Sequence, residues 1–394
     1  MSTVHWTEND ETCSARWHSE NGTGAPSRIV VVDDELTANA AHRLARAGTG
    51  MLWRGDYHNA RQLLRALDRR VQRDTERKNT ERKNTERKNT ERKNTERKNT
   101  GAESFSDYRA ARSARARMLG MLLVEVESDY SLALRRAPDI RQACVEAYGE
   151  PDGARVIALT ELQGVLSAQQ WHEKGVEVPA LGARIHASYG VFSPVRGEYV
   201  DLAADAPLPG TTPRVAFDLG TGTGVLAAVL ARRGVGQVVA TDINPRAVEC
   251  ARANIARLGL GESVRVVRAD LYPEGTADLI VCNPPWLPAD PTSALEAGVY
   301  DPNSDMLHRF LDGLTAHLTP GGEGWLILSD LAEHLELRAS GELLERISAA
   351  GLRVVDKYDT APRHPRARDT TDGLHAARGR EITSLWRLAP KDAS

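Results

Sequence analysis

The chain has 394 residues, a formal net charge of −3 and four cysteines, at positions 13, 144, 250 and 282. That length leaves room for two domains with sizeable cores, while the dispersed cysteines offer neither a Cys-x-x-Cys zinc pair nor a disulfide framework, so no metal site is expected and a reducing cytoplasm fits. No apolar run is long enough to span a bilayer, and the start Met1-Ser-Thr-Val-His-Trp-Thr-Glu lacks the basic head and apolar core of a signal peptide, so no membrane partner is expected.

Residues 1–27 are polar, with scattered Gly and Ser, a composition that predicts disorder. Arg28-Ile-Val-Val-Val-Asp33-Asp34-Glu35 then looks like the first strand of a two-component receiver. A receiver needs later strands bearing a phospho-acceptor Asp and a Lys, whereas Ala38–Arg73 reads as nearly all helix. Residues 28–74 are therefore read as a helical segment, with Ile29–Val32 a short strand or an accidental match.

From Thr75 to Asn99 the pentapeptide Thr-Glu-Arg-Lys-Asn repeats five times in register. It holds no apolar residue, and a period of five matches neither helix nor strand, so it cannot bury a face. Arg77 and Glu81 stand i,i+4 with the cation first, the weaker orientation. Residues 75–100 are expected to be a solvated linker or an extended helical spacer. Five of the chain's eight lysines lie in this tract, a foreign composition that points to tandem duplication at a tolerant surface loop. The repeat adds ten basic and five acidic residues, so the formal charge without it is −8, too acidic for a general nucleic-acid footprint.

Residues 101–185 read as mixed. Phe105–Met118 is helical and Arg-rich, Met121–Val126 suggests a strand, and Asp139–Tyr148 suggests a helix. Val156–Leu166 and Val176–Leu181 suggest short strands or turns. The region is expected to serve substrate recognition.

Residues 186–390 carry the chemistry. Val215-Ala-Phe217 is a short apolar run that reads as a buried strand. Asp218-Leu-Gly220-Thr221-Gly222-Thr-Gly224 follows, and Val225–Arg233 is a good helix closed by Gly234. Strand, glycine turn and helix open a nucleotide-binding unit. A dinucleotide fingerprint wants G-x-G-x-x-G, but the spacing is G-x-G-x-G with Asp218 two residues before the first glycine. That carboxylate would repel a pyrophosphate and could receive an ammonium, which favours S-adenosylmethionine over NAD. The second strand ends in Asp242-Ile243, where an acid can accept both hydroxyls of a ribose. Asn244-Pro245 opens the helix Arg246–Leu258. The strand beginning at Val264 ends in Asp270-Leu271, a pair suited to bracketing an adenine.

The fourth strand, Ala277–Asn283, delivers Asn283-Pro284-Pro285-Trp286. This matches the [N/D]-P-P-[aromatic] pattern of enzymes that methylate nitrogens conjugated to a planar π system. The lone pair of such a nitrogen is delocalised, so it needs acceptors for its N–H groups. The Asn283 side-chain oxygen and the Pro284 carbonyl can supply them, Pro285 stiffens the loop, and the Trp286 indole offers a face for stacking.

On these residues the stretch 186–330 resembles a class I S-adenosylmethionine-dependent methyltransferase of the HemK/PrmC type, the release factor glutamine methylases. Pro194 and Glu198 align with the family's segment ahead of the glycine turn, while Arg196 is displaced by one residue and no Thr precedes Glu198. Tyr300-Asp301-Pro302 is similar to the family's Glu-Pro segment, with Asp for Glu, and Trp286 stands where the glutamine methylases usually have Tyr. The resemblance implies an α/β fold, a seven-stranded doubly wound Rossmann-like sheet; ahead of it the residues themselves predict a mixed, mostly helical N-terminal domain, much larger than the small helical bundle of that family. Gly324–Ser329 would be its fifth strand and Leu343–Ala350 a helix. Leu352–Lys357 and Ile382–Leu388 would close it, the last strand antiparallel.

Between those two strands lies a basic loop with Arg363, His364, Arg366, Arg368, His375, Arg378 and Arg380, either a grip on an acidic substrate or a solvated hairpin tip. The expected activity is transfer of a methyl group from S-adenosylmethionine to a planar amide or amine nitrogen, a protein glutamine first, with an RNA or DNA exocyclic amine or a small molecule as alternatives. A protein that binds S-adenosylmethionine without turnover is the reading from another class.

Overall fold

The computed structural model describes residues 2–93, 101–210, 212–293, 295–363 and 372–391, and the chain separates into two compact units, Met1–Gln169 and Gln170–Ser394.

In the first unit the N-terminus is a hairpin, not the expected disordered tail. Strands β1 (Thr3–Glu8) and β2 (Glu11–Trp17) pair antiparallel through Asn9-Asp10, both at positive φ (52° and 65°), the geometry of a hairpin turn whose twist suits the strands. Val4, Trp6, Ala15 and Trp17 are buried. Average polarity hid a period-two alternation, which is what a half-buried strand requires.

Helix α1 (Ala38–Arg46) is capped by the Thr37 hydroxyl, and helix α2 starts at Tyr57. Between strand β3 (Arg28–Val32) and α2, however, lies strand β4 (Thr49–Trp53), buried throughout, where nearly continuous helix was expected. Gly48, at φ 70°, ends α1, and a Cβ on Gly50 would meet the Leu123 side chain at 2.7 Å, so this glycine lets neighbouring strands close up.

Helix α3 (Gly101–Leu119) leads into β5 (Leu122–Val126), and α4 (Arg141–Tyr148) into β6 (Arg155–Ala158). Leu159–Lys174 forms helix α5, not strand or turn, and the six strands lie in the order β1-β2-β6-β5-β4-β3. This unit therefore carries much more sheet than the mostly helical expectation. Asp34, the acid of the receiver-like stretch, accepts from the Asp56 amide (3.0 Å) and from Arg135 (2.7 Å), so it is spent on loop structure.

In the second unit a small ribbon, β7 (Val176–Val178) with β8 (Ala183–Ile185), precedes helix α6 (Glu198–Asp205). Alternating strands and helices follow: β9 (Val215–Leu219), α7 (Val225–Arg232), β10 (Gln237–Asp242), α8 (Pro245–Arg257), β11 (Val264–Arg268) and β12 (Ala277–Cys282). The rest are α9 (Asp305–His317), β13 (Leu318–Ser329), α10 (Leu331–His334), α11 (Glu342–Ala349), β14 (Leu352–Thr360), α12 (His375–Arg378) and β15 (Thr383–Pro390).

Among the described residues seven strands pair in the order β11-β10-β9-β12-β13-β15-β14, the first five parallel and β15 antiparallel to both its neighbours. The order reverses between β9 and β12, the switch point at which α/β sheets open a crevice at their carboxyl ends.

Alternation along each strand feeds two core layers. Ala216, Leu279, Val281 and Trp325 face one layer with α7 and α8, while Phe217, Ile280, Cys282 and Leu326 face the other with α9 and α11. No helix among the described residues is long and apolar enough to cross a membrane.

Helix α2 (Tyr57–Lys93) runs through the first three copies of the pentapeptide, and Arg77 and Glu81 lie 3.9 Å apart along it. Its last buried side chain among those described is Val71, and the repeat offers no apolar residue to add core. Excising residues 80–99 is therefore expected to shift the thermal midpoint by less than about 4 °C, read by calorimetry. A larger loss would mean that the tract contributes packing.

Candidate functional site

The site begins where β9 stops. The chain turns through Gly220 (φ 71°), Gly222 (φ 56°) and Gly224 (φ 82°) into α7, conformations that side chains adopt at a cost. A Cβ on Gly224 would stand 3.2 Å from the Ala251 Cβ of α8, so that glycine serves helix packing. A Cβ on Gly222 would meet nothing within 4 Å, because Gly222 fronts a cleft and leaves its main chain open to a ligand.

Asp218 holds this turn from below. It is 1% exposed, and its Oδ2 accepts from the Thr221 hydroxyl (2.6 Å) and from the Ala227 amide in the first turn of α7 (2.9 Å). Burial pushes its carboxyl up to about 6 even though both bonds favour the anion. Oδ1 is buried with no hydrogen-bond partner among the described residues, an orphan acceptor that an ammonium would satisfy. Asp218 thus lies behind the cleft wall rather than in it, with one oxygen spent on the turn and one left over.

The cleft, about 330 Å³, runs along the carboxyl ends of β9, β10 and β12. Gly220, Thr221, Gly222, Asp242, Ile243, Asp270, Leu271, Asn283 and Pro285 line it; Asp218, Gly224, Pro284 and Trp286 do not. Asp242 accepts from the Gly222 amide (3.0 Å) through one oxygen and from the Asn244 amide (2.9 Å) through the other, and burial raises its pKa. Each oxygen keeps a lone pair for a hydroxyl. Asp270 is exposed and pairs with Arg309 of α9 at 2.9 Å. Leu271 has φ 73°, uncommon for a bulky residue, and its carbonyl accepts from the buried Thr241 hydroxyl at 2.6 Å.

Two features of this set suit S-adenosylmethionine: an open glycine main chain and a strand-end acid with free lone pairs. Phe192, Tyr199, Met306 and Arg309 also line the cleft and were not assigned from sequence. Phe192 and Tyr199 lie within the motif-bearing stretch ahead of the turn. Arg309 meets Asp270 only through the fold and left no local signal.

The diproline hook follows β12. Asn283 stands in the cleft wall, and its Oδ1 accepts the indole N–H of Trp286 at 2.9 Å. Pro284 is buried. The Trp286 ring packs against both core layers, and the Arg196 guanidinium lies over it, 4.6 Å from the ring centroid. The indole is therefore not the free stacking plate expected from sequence, since one edge is tied and one face covered.

Asp301 accepts from the Met306 and Leu307 amides (3.1 and 3.2 Å) and so caps α9. Of the basic loop, Arg363 pairs with Asp201 (2.8 Å) and Arg378 with Asp372 (3.0 Å); His364, Arg366 and Arg368 lie outside the described residues. No group of three His, Cys, Asp or Glu among the described residues is placed to hold a metal ion.

Residues 182–340 match the family model of the methyltransferase small domain. The chain is 30% identical over 183 residues to a release factor glutamine methyltransferase of Gloeobacter violaceus, covering 43% of this chain and 61% of the relative. It is 35% identical over 151 residues to a ribosomal protein L11 methyltransferase of Pelotomaculum thermopropionicum, covering 38% of this chain and 40% of the relative. A tRNA1(Val) (adenine(37)-N6)-methyltransferase of Shewanella loihica is 28% identical over 217 residues, 51% of this chain and 86% of the relative. The chain thus spans about half the length of the first two relatives.

A carboxyl whose folded pKa lies above its unfolded value binds more protons when folded. Its contribution to stability is full below about pH 4 and falls as pH rises through about 6. Asp218→Asn removes that titration. Relative to the parent, the variant is expected to gain stability as pH rises from 4 to 6, by up to about 1.4 kcal/mol per pH unit, and to hold level above about 7. Urea unfolding across that range reads it, and a difference that does not vary with pH would contradict the assignment.

Proposed function

We propose, from the premise that residues 182–340 are a HemK/PrmC-like class I methyltransferase domain, that the enzyme methylates a nitrogen conjugated to a planar π system, a protein glutamine amide foremost. The observation that carries this reading is the position of Asn283, whose amide stands in the wall of the same cleft as the glycine turn and Asp242. S-adenosylmethionine, when bound there, supplies an electrophilic methyl group on a sulfonium.

The residues of the chain do the rest by placement. Asp242 takes the ribose hydroxyls, the open glycine main chain that Asp218 holds in place meets the amino-acid end, and Asp270 with Leu271 bracket the base. Ile243, with 61% of its surface exposed at the cleft, gives an apolar edge for the same base. Asn283 Oδ1 accepts an N–H group of the acceptor, drawing density onto a nitrogen that is otherwise a poor nucleophile; Pro284, buried outside the cleft wall, leaves the second N–H to another acceptor than the carbonyl expected from sequence. Pro284 and Pro285 stiffen the loop that holds Asn283 at the cleft. Alignment and exclusion of water then lower the barrier without a strong base.

A second reading, methylation of an exocyclic base amine in RNA, has support in the tRNA adenine-N6 relative, 86% of which is covered. The acidity of the chain outside the repeat favours the protein acceptor.

Lysate treated with the protein and methyl-labelled S-adenosylmethionine is expected to hold label in a protease-sensitive, nuclease-resistant fraction. Label lost to nuclease would select the RNA reading. Asn283→Ala is expected to lower kcat at least about 100-fold while the Kd for S-adenosylmethionine stays within about threefold, because the lost interaction serves the acceptor rather than the donor. An equal loss in both would place Asn283 in cofactor binding alone.

A further inference from the structure

Trp286 and its surroundings hold more order than a stacking surface needs. Beneath the ring, the Arg196 guanidinium is gripped on two sides. It donates to Glu198 Oε1 at 2.9 Å and to Glu381 Oε1 at 3.0 Å, and both carboxylates are about 2% exposed. Glu381 accepts in addition from the Ser329 hydroxyl at 2.7 Å, at the end of β13. Glu198 opens α6, and Glu381 sits two residues before β15. The cation is thereby fixed by elements far apart in sequence, 4.6 Å from the indole centroid, within cation–π range. The indole N–H in turn reaches Asn283 Oδ1 at 2.9 Å.

The consequence is chemical. A primary amide can present either oxygen or NH2 to a given direction, and the two orientations differ little in shape. An indole N–H is a donor only, so it faces the oxygen and penalises the flipped orientation, in which NH2 would meet N–H. One lone pair of Asn283 Oδ1 is used in this way, and the second stays available for an acceptor N–H.

We propose that Trp286 is a positioning residue, and that Arg196, clamped by Glu198 and Glu381, holds its ring so that the indole N–H fixes the orientation of the Asn283 amide. This rests on the amine-methylating reading above and adds residues to it. Arg suits the role where Lys would not, because its planar fork can engage two carboxylates and lie flat on a ring at once.

Trp286→Phe separates positioning from stacking, since it keeps a flat ring and removes the donor. On the acceptor found by the labelled-methyl assay, kcat is expected to fall between about tenfold and a hundredfold, with the Kd for S-adenosylmethionine unchanged and the thermal midpoint lowered by only a few degrees, as the smaller ring packs less fully between the core layers. Trp286→Leu should be no worse in kcat than Trp286→Phe. If Trp286→Phe turns over within about twofold of the parent while Trp286→Leu raises KM, the ring is a stacking platform and the proposal falls.

Arg196→Lys is expected to lower kcat in the parent and to add nothing in the Trp286→Phe background; independent, multiplying losses would break the chain from Arg196 to Asn283. A turnover-free readout keeps the two readings apart. The Trp286 indole N–H resonance, assigned by its disappearance in Trp286→Phe, should be protected from solvent exchange and lose that protection in Asn283→Ala. If it behaves so while no acceptor is ever methylated, the functional reading fails and the hydrogen bond stands. If it exchanges freely and ignores Asn283→Ala, the proposal is wrong whatever the enzyme methylates.

Discussion

The second unit depends most on one buried carboxylate gripping a glycine turn. Asp218 Oδ2 collects the Thr221 hydroxyl and an amide of the first turn of α7, so strand, turn and helix are tied at one atom. Taking that charge out of water is costly, as its raised pKa records, and two short bonds offset only part of the cost. What is gained is a turn held in place with its glycine main chain facing the cleft. Asn254 of α8 reinforces it from the other side. Its amide donates to the Thr223 and His186 carbonyls (both 3.0 Å) and accepts from the His186 amide (3.0 Å). The glycine turn and the segment that runs toward Phe192 and Tyr199 are therefore held by a single side chain.

The hook at the end of β12 is a different kind of device. Its rigidity comes from covalent restriction at two prolines and from the packing of Trp286, which sits where the two core layers meet. A site of this type acts through geometry, and its sensitivity lies in the residues that set angles rather than in those that carry protons. Under the proposal above, the buried polar groups Glu198, Glu381 and Ser329 reach the cleft only through the ring that Arg196 holds.

The first unit shows how composition can mislead. Its N-terminal stretch is polar on average yet pairs as a hairpin, because Val4, Trp6, Ala15 and Trp17 fall on one face of a two-strand ribbon. Thr49–Trp53 is a strand inside a region of strong helical propensity, since a fully buried position in a sheet rewards a short apolar run more than local preference opposes it. In both places period and burial outweighed propensity.

Most of the second unit was legible in the chain itself. Apolar strand runs, the glycine spacing, Asn244-Pro245 at a helix start and Asn-Pro-Pro-Trp after a strand are local signals, each set by backbone chemistry within a few residues. They sufficed to bring Gly222, Asp242, Leu271 and Asn283 to one sheet edge. Tertiary structure alone decided the partners of those residues. Asp218 turned away from the cleft wall toward the turn, Arg309 met Asp270 across the chain, and Arg196 was placed on Trp286 between Glu198 and Glu381. Such pairings join residues up to 185 positions apart, and no periodicity or spacing encodes them, because a side chain's hydrogen-bond partner is fixed only once packing has closed the space around it.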